Sequence, residues 1–181
     1  MIDIIIPTRF DRPTLTPLVK ACQATGHVIL IHTEPGHPPI AGTTTIRSDA
    51  RNIHTWWNLG LDQCDGPALI LNDDLNVTHT ALKKLATALD HTDLVYLQGR
   101  GGPSPMTGWC FGLHPDKIRP DEAFQWWYGD DDLHRRAITE GLTVKAIPAS
   151  GIVHNKVARF ADPQLEQATI RDEHLYRQRW G

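Results

Sequence analysis

The 181-residue sequence predicts an α/β domain: a mostly parallel sheet flanked by helices. Two observations predict it. Short apolar runs alternate with amphipathic helical patterns, and the central runs are unbroken, as in strands buried on both faces.

The elements follow in order. Residues 2–7, IDIIIP, read as a β-branched strand ending at Pro7. In PTLTPLVKACQATG, Leu15, Leu18, Val19 and Cys22 recur at i, i+3, i+4 and i+7, and Gly26 closes the amphipathic helix. HVILIHT is a second strand, and Glu34 to Gly42, EPGHPPIAG, is loop by its prolines and glycines. Ser48 or Asp49 is placed to cap a helix through ARNIHTWWNLGLDQC, with Ile53, Trp56, Trp57, Leu61 and Cys64 on one side. PALILNDD is the third strand. Thr78 starts HTALKKLATALD, whose apolar stripe is Leu82, Leu85, Ala86 and Leu89, and LVYLQ is the fourth strand. With right-handed crossovers, this order gives a parallel sheet between helices. After Gln98, GRGGPSPMTG reads as a mobile loop, WCFGL as a strand, DDDLHRRAITEG as a helix, LTVKAI as a strand and PQLEQATIRDEHLYRQRW as a terminal helix.

The bulk composition is that of an ordinary soluble globular chain: 40% apolar and 22% charged residues. A net charge of −3 excludes a general nucleic-acid coat held by charge, though not nucleic acid as a substrate. Cys22, Cys64 and Cys110 are odd in number and widely spaced, so neither a disulfide framework nor a zinc knuckle is indicated, and a cytoplasmic location is expected. The opening apolar run is too short for a signal peptide or a membrane span.

Ligands of open parallel sheets bind outside the carboxyl ends of the strands. Three polar groups fall there: PTR after the first strand, Glu34 after the second and NDD after the third. Alternation puts Asn72 and Asp74 on one side and Asp73 on the other. Oxygen ligands at that spacing suit Mg2+ or Mn2+ bridging a diphosphate, because these ions keep positions open for phosphate oxygens. Asn and Asp also form turns and caps; the strand-end position favours the ligand role.

The segments IIIPTRFDRPTLTPLVKAC, ARNIHTWWNLGLDQCDGPALILNDDL, GWCFGL and WYGDDDLHRRAITEGLTV together resemble the family 2 glycosyltransferases of the GT-A fold, in order and approximate spacing over residues 1 to about 154. The resemblance implies a Rossmann-like GT-A sheet in a single domain with a small acceptor-side region. Residues 1–98 would bind the nucleotide sugar, 99–154 would form the acceptor and catalytic half, and 155–181 a helical tail. It implies Pro7, Thr8, Arg9 and Glu34 around the nucleoside, Asn52 as a further nucleotide contact, and Asn72, Asp73 and Asp74 in the place of a DxD motif. The first acid of that motif is here the neutral Asn72, which makes Asp74 the principal metal carboxylate. His154, after the last strand, falls where many such enzymes bring a histidine to the metal; Lys156 and Arg159 lie beside it.

The family's EDxDL pattern aligns its DxDL portion with Asp130, Asp131, Asp132 and Leu133, with Gly129 in place of the glutamate. Asp130, or its neighbour Asp131, is then the implied general base. Successive helical carboxylates point about 100° apart, so three in a row cannot share one task. Trp109, Trp126, Trp127 and Tyr128 are a candidate acceptor platform, with core packing as the plainer alternative.

The leading expectation is inverting sugar transfer from a nucleotide sugar to a hydroxyl, assisted by Mn2+ or Mg2+. A nucleotidyltransferase would instead carry a Gly-rich basic segment after the first strand, which PTRFDRP lacks. A catalytically inactive binding module would have no need of Asp74 and Asp130. Acceptor candidates are a glycan, a protein side chain, a small metabolite and, as a minority case, a modified base in DNA. Arg171, Tyr176, Arg177, Arg179 and Trp180 are compatible with nucleic acid, diluted by Asp172 and Glu173.

Overall fold

The computed structural model describes residues 2–10, 12–32, 39–98, 103–155 and 163–181. Glu34, Lys156, Arg159 and residues 99–102 of the Gly-rich loop lie outside the described residues. The elements run β1 (Ile2–Thr8), α1 (Leu15–Gln23), β2 (Gly26–His32), β3 (Thr43–Arg47), α2 (Ile53–Leu61), β4 (Ala68–Leu71), β5 (Leu75–Val77) and α3 (His79–Leu89). They continue with β6 (Leu94–Gln98), β7 (Met106–Leu113), α4 (Gly129–Thr139), β8 (Val144–Ile147), β9 (Ile152–His154) and α5 (Pro163–Trp180).

The main sheet has seven strands in the order β3-β2-β1-β4-β7-β6-β8. The pairs β1–β2, β1–β4, β2–β3 and β6–β8 are parallel, while β7 runs antiparallel to both β4 and β6. Central strands need apolar residues on both faces, and Ile4, Ile5 and Ile6 are all fully buried. Alternation then divides the core. Ile4, Ile6, Leu30, Leu69 and Leu71 pack with α1 and α3, whereas Ile5, Ile29, Ile31 and Ile70 pack with α2 and α4. Gly60 lets α2 approach β1, since a Cβ there would meet Ile5 Cγ2 at 2.5 Å.

Several elements differ from the sequence expectations. β3, TTTIR, is a strand that the apolar pattern does not announce, because none of its residues is fully buried. The cap of α2 is Asn52, whose Oδ1 accepts from His54 N at 2.9 Å and Thr55 N at 3.1 Å. Ser48 and Asp49 belong to the preceding connection, where they bond Ala50 N and Arg47. Thr78 caps α3 as expected, accepting from Ala81 N at 3.2 Å.

The fourth expected strand, β6, does not lie beside β4. β7 starts at Met106, three residues before WCFGL, and lies between them. The connection from β6 to β7 is too short for a crossover helix, so the chain returns antiparallel. β5 and β9 form a separate two-stranded pair whose register sets His154 opposite Leu75, next to Asp74. Among the described residues, no helix is long and apolar enough to cross a membrane.

Candidate active site

The ends of β1 and β4 form one bonded cluster. Pro7 is buried in register with Ile31. Thr8, 2% exposed, donates its hydroxyl to Asp73 Oδ2 at 2.8 Å and accepts from Phe10 N at 2.9 Å. Thr14 Oγ1 donates to the Asp73 carbonyl at 2.7 Å. Asp73 therefore ties the end of β1 to the end of β4, and Arg9 is exposed beside the cluster.

Asp74 points elsewhere. Its Oδ2 lies 3.1 Å from His154 Nε2, with the two side chains 14% and 21% exposed. The Asp74 carbonyl accepts from both the backbone N and the Nδ2 of Asn155, at 2.9 and 3.0 Å. The Trp109 ring stacks on His154 at 5.0 Å, and Asn72 N donates to the Trp109 carbonyl at 2.9 Å. Among the described residues, Asp74 Oδ1 and His154 Nδ1 are buried without a hydrogen-bond partner. Buried polar atoms are rarely left so, and an Asp oxygen and a His nitrogen are both groups that could ligate a cation. Among the described residues, no group of three or more His, Cys, Asp or Glu side chains gathers to hold a metal. A site of few protein ligands completed by phosphate oxygens and water suits Mg2+ or Mn2+ rather than a closed structural ion.

The three aspartates of α4 diverge. Asp130 lies against Gly108 of β7, where a Cβ would stand 2.8 Å from its Oδ2. Burial, and then the charge of Asp131, pushes the Asp130 carboxyl up to about 7, against opposing bonds from backbone N–H groups. Asp131, 7% exposed and raised by burial, accepts from Ser104 N at 2.8 Å. Asp132 is fully buried; it accepts from Arg136 Nε and Arg179 Nη1, each at 2.8 Å, and from Trp180 Nε1 at 2.9 Å. Asp132 thus fastens α4 to α5. Gly108 meets Asp130 and its neighbour Trp109 meets His154, so Asp130 and the Asp74–His154 pair flank one end of β7 from opposite sides.

Sequence reasoning missed His54, Gly108 and Asp172. His54 is 1% exposed, and its Nδ1 donates to the Phe124 carbonyl at 2.9 Å. Burial lowers its pKa to about 4, leaving the ring neutral. That ring fills the space a Cβ at Gly129 would need, so the glutamate of the EDxDL pattern has no room here. Asp172 is fully buried on α5 and accepts from the backbone of Gln125, Trp126 and Trp127. The available signal was the row Ala168, Asp172 and Tyr176 at four-residue spacing, all three buried.

The acceptor candidates Trp109, Trp126, Trp127 and Tyr128 are all half-buried, partly packed and partly open. Trp126 meets Trp56 edge-on at 5.7 Å, and Tyr128 lies 5.3 Å from the Tyr176 ring. The Asn52 amide is taken up largely by the fold: besides capping α2, its Nδ2 donates to the Glu122 carbonyl at 2.9 Å. One amide hydrogen is left for a ligand.

Neither a family model nor a curated protein matches the chain. Solved structures do. S. aureus TarS, residues 1–349, superposes with a TM-score of 0.63 at 14% identity, covering 83% of this chain and 59% of that one. A glycosyltransferase involved in the glycosylation of the major capsid of PBCV-1 gives 0.57 at 14%, covering 96% and 100%. The fold is GT-A-like. The 2-C-methyl-D-erythritol 4-phosphate cytidylyltransferase from Thermus thermophilus shares this GT-A-like fold, with a TM-score of 0.54 at 12% identity over 95% and 97% of the two chains. At such identities the GT-A-like architecture is common to sugar-transferring and nucleotidyl-transferring chains, and the side chains must decide between them.

Proposed function

We propose that the protein transfers a sugar from a nucleotide-sugar donor to an acceptor hydroxyl with inversion, using Asp130 as general base. The supporting observation is the pair of unlike sites flanking Gly108 and Trp109: a half-buried carboxyl raised to about 7 on one side and an Asp–His pair with two polar atoms unbonded among the described residues on the other. A base is most useful when its pKa is near the working pH.

In this reading, the acceptor oxygen bonds to the anomeric carbon as the bond from that carbon to the diphosphate oxygen breaks. The acceptor proton passes to the Asp130 carboxylate. Asp131 is the less suited of the two, because it is 7% exposed and bonded to Ser104 N, whereas Asp130 is half-buried and open to an acceptor. Asp74 and His154 would hold Mn2+ or Mg2+, with Asn72 and Asp73 beside them. When bound, the ion supplies charge neutralisation for the departing diphosphate. Thr8, Pro7 and Arg9 bound the nucleoside side, and the half-buried aromatics offer faces for the acceptor.

The cytidylyltransferase likeness favours a second reading, nucleotidyl transfer. An anionic phosphate acceptor carries no proton that must be removed, so that reading leaves Asp130 without a task. A thermal-shift panel of nucleoside diphosphates, nucleoside triphosphates and nucleotide sugars, each with and without Mn2+, tests both. Nucleoside diphosphate release from a nucleotide sugar supports glycosyl transfer. Pyrophosphate release from a triphosphate supports the alternative and removes the first.

A further inference from the structure

We infer that Asp172 is a positioning residue for the acceptor side of the site, holding the segment Gln125–Tyr128 in the one shape that keeps Asp130 against Gly108. Its catalytic consequence rests on the glycosyl-transfer reading; its structural part rests on geometry alone.

The Asp172 carboxylate is fully buried and no cation among the described residues pairs with it. Its compensation comes from backbone. Gln125 N reaches both oxygens, at 3.1 and 3.0 Å, and Trp126 N and Trp127 N reach Oδ2 at 2.8 and 3.0 Å. Three consecutive amides converging on one carboxylate form the concave arrangement that normally cradles an anion, here filled by the chain's own side chain. Charge-assisted bonds of this kind are roughly twice as strong as neutral ones, which offsets the desolvation of the carboxylate.

The next residue shows what the grip maintains. Tyr128 has a φ of 61°, a left-handed conformation that costs a non-glycine residue about 1 kcal/mol or more. Asp172 fixes the amides before it. Tyr176, one helical turn further along α5, lies 5.3 Å from the Tyr128 ring. From the other side, Ile53 N donates to the Gln125 carbonyl at 2.9 Å, and His54 holds Phe124. The Tyr128 carbonyl then accepts from Asp132 N at 2.8 Å, setting the first turn of α4 and with it the direction of Asp130. Displacement of the segment therefore moves the aromatic platform and Asp130 together, while the β1–β4 cluster and the Asp74–His154 pair are held by other bonds.

The test compares the wild type with Asp172→Ala and Asp172→Asn. The expected results are amide exchange at residues 125–127 at least about tenfold faster in Asp172→Ala with β1 and β2 unchanged, and an Asp130 titration, followed at its carboxyl carbon, shifted down from about 7. Acceptor-dependent kcat/KM falls about tenfold or more at unchanged donor KM, and Asp172→Asn lies between the other two. Unchanged exchange at 125–127 overturns the grip. Faster exchange with an unmoved Asp130 titration and an unmoved acceptor KM overturns the positioning role and leaves a purely structural one. Should Asp172→Ala fail to fold, the same readouts on Asp172→Asn decide. Absence of any sugar transfer by the wild type would remove the glycosyl-transfer reading alone, because the exchange and titration results do not depend on it.

Discussion

Asp130 is half-buried against Gly108 of β7, and desolvation of its carboxyl together with the charge of Asp131 raises it to about 7, with signed consequences for both activity and stability. As the proposed base it would act ionised, so transfer should rise with pH through about 7 and level above it. Stability runs the other way. A carboxyl whose folded pKa lies above the usual 3.8 contributes stability that is fully present below 3.8 and is lost as pH rises through about 7. Asp130→Asn should lower transfer by about 100-fold or more. Its melting temperature should exceed that of the wild type by a margin that grows between about pH 4 and about pH 7 and is constant above. Melting curves of the two proteins across that range check it, and a constant margin would mean that the Asp130 carboxyl is not raised. At Gly108, Ala would press a Cβ into the Asp130 carboxyl and should cut transfer while leaving the donor-induced thermal shift intact. Asp74→Ala should remove the Mn2+-dependent part of that shift; an equal shift in this variant would exclude Asp74 from the metal site.

The helices α4 and α5 act as a unit, and the run of three aspartates shows why. Asp132 faces away from the site, toward Arg136, Arg179 and Trp180. Asp132→Ala strands these donors and should cost about 2–4 kcal/mol in denaturant unfolding, with transfer retained below the lowered melting point. That outcome is the opposite of the one expected at Asp130, two residues away. The meeting of α2 with α4 makes a second prediction. Gly129→Ala puts a Cβ into His54 and should destabilise by about 1–3 kcal/mol. Adding His54→Ala should recover part of that loss, giving a favourable coupling in a double-mutant cycle; strict additivity would mean that α4 shifts away instead. The element-level patterns were largely legible in sequence. The α5 span agrees with the terminal helix expected over 163–180 despite its weak periodicity; α1 agrees because its apolar spacing reports one buried stripe, and α3 does so at Leu82, Leu85 and Leu89, while Ala86 is half-buried.

For the whole molecule, the reversal of β7 is the decisive event. Running antiparallel between β4 and β6, it delivers Gly108 and Trp109 to the edge where the parallel strands end, and so joins the acidic strand end to the head of α4. A nucleotide sugar that binds this edge should stabilise the native chain by roughly 2.7 kcal/mol at about 100 times its dissociation constant, several degrees for a chain of this size. What the sequence alone determined was the α/β layering, the central strands and the strand-end carboxylates, because alternation and helical period record directly which side chains leave water. β3, β5 and β9 escaped it, being half-exposed or three residues long, with too few side chains to show a period. Which surface each of the three aspartates meets, why Gly129 stands where the family pattern has an acid, and the anchoring of Gln125–Trp127 by Asp172 were decided only in three dimensions. Consecutive helical carboxylates are chemically identical until a partner surface distinguishes them, and the partners here, Gly108, His54 and α5, are distant in sequence.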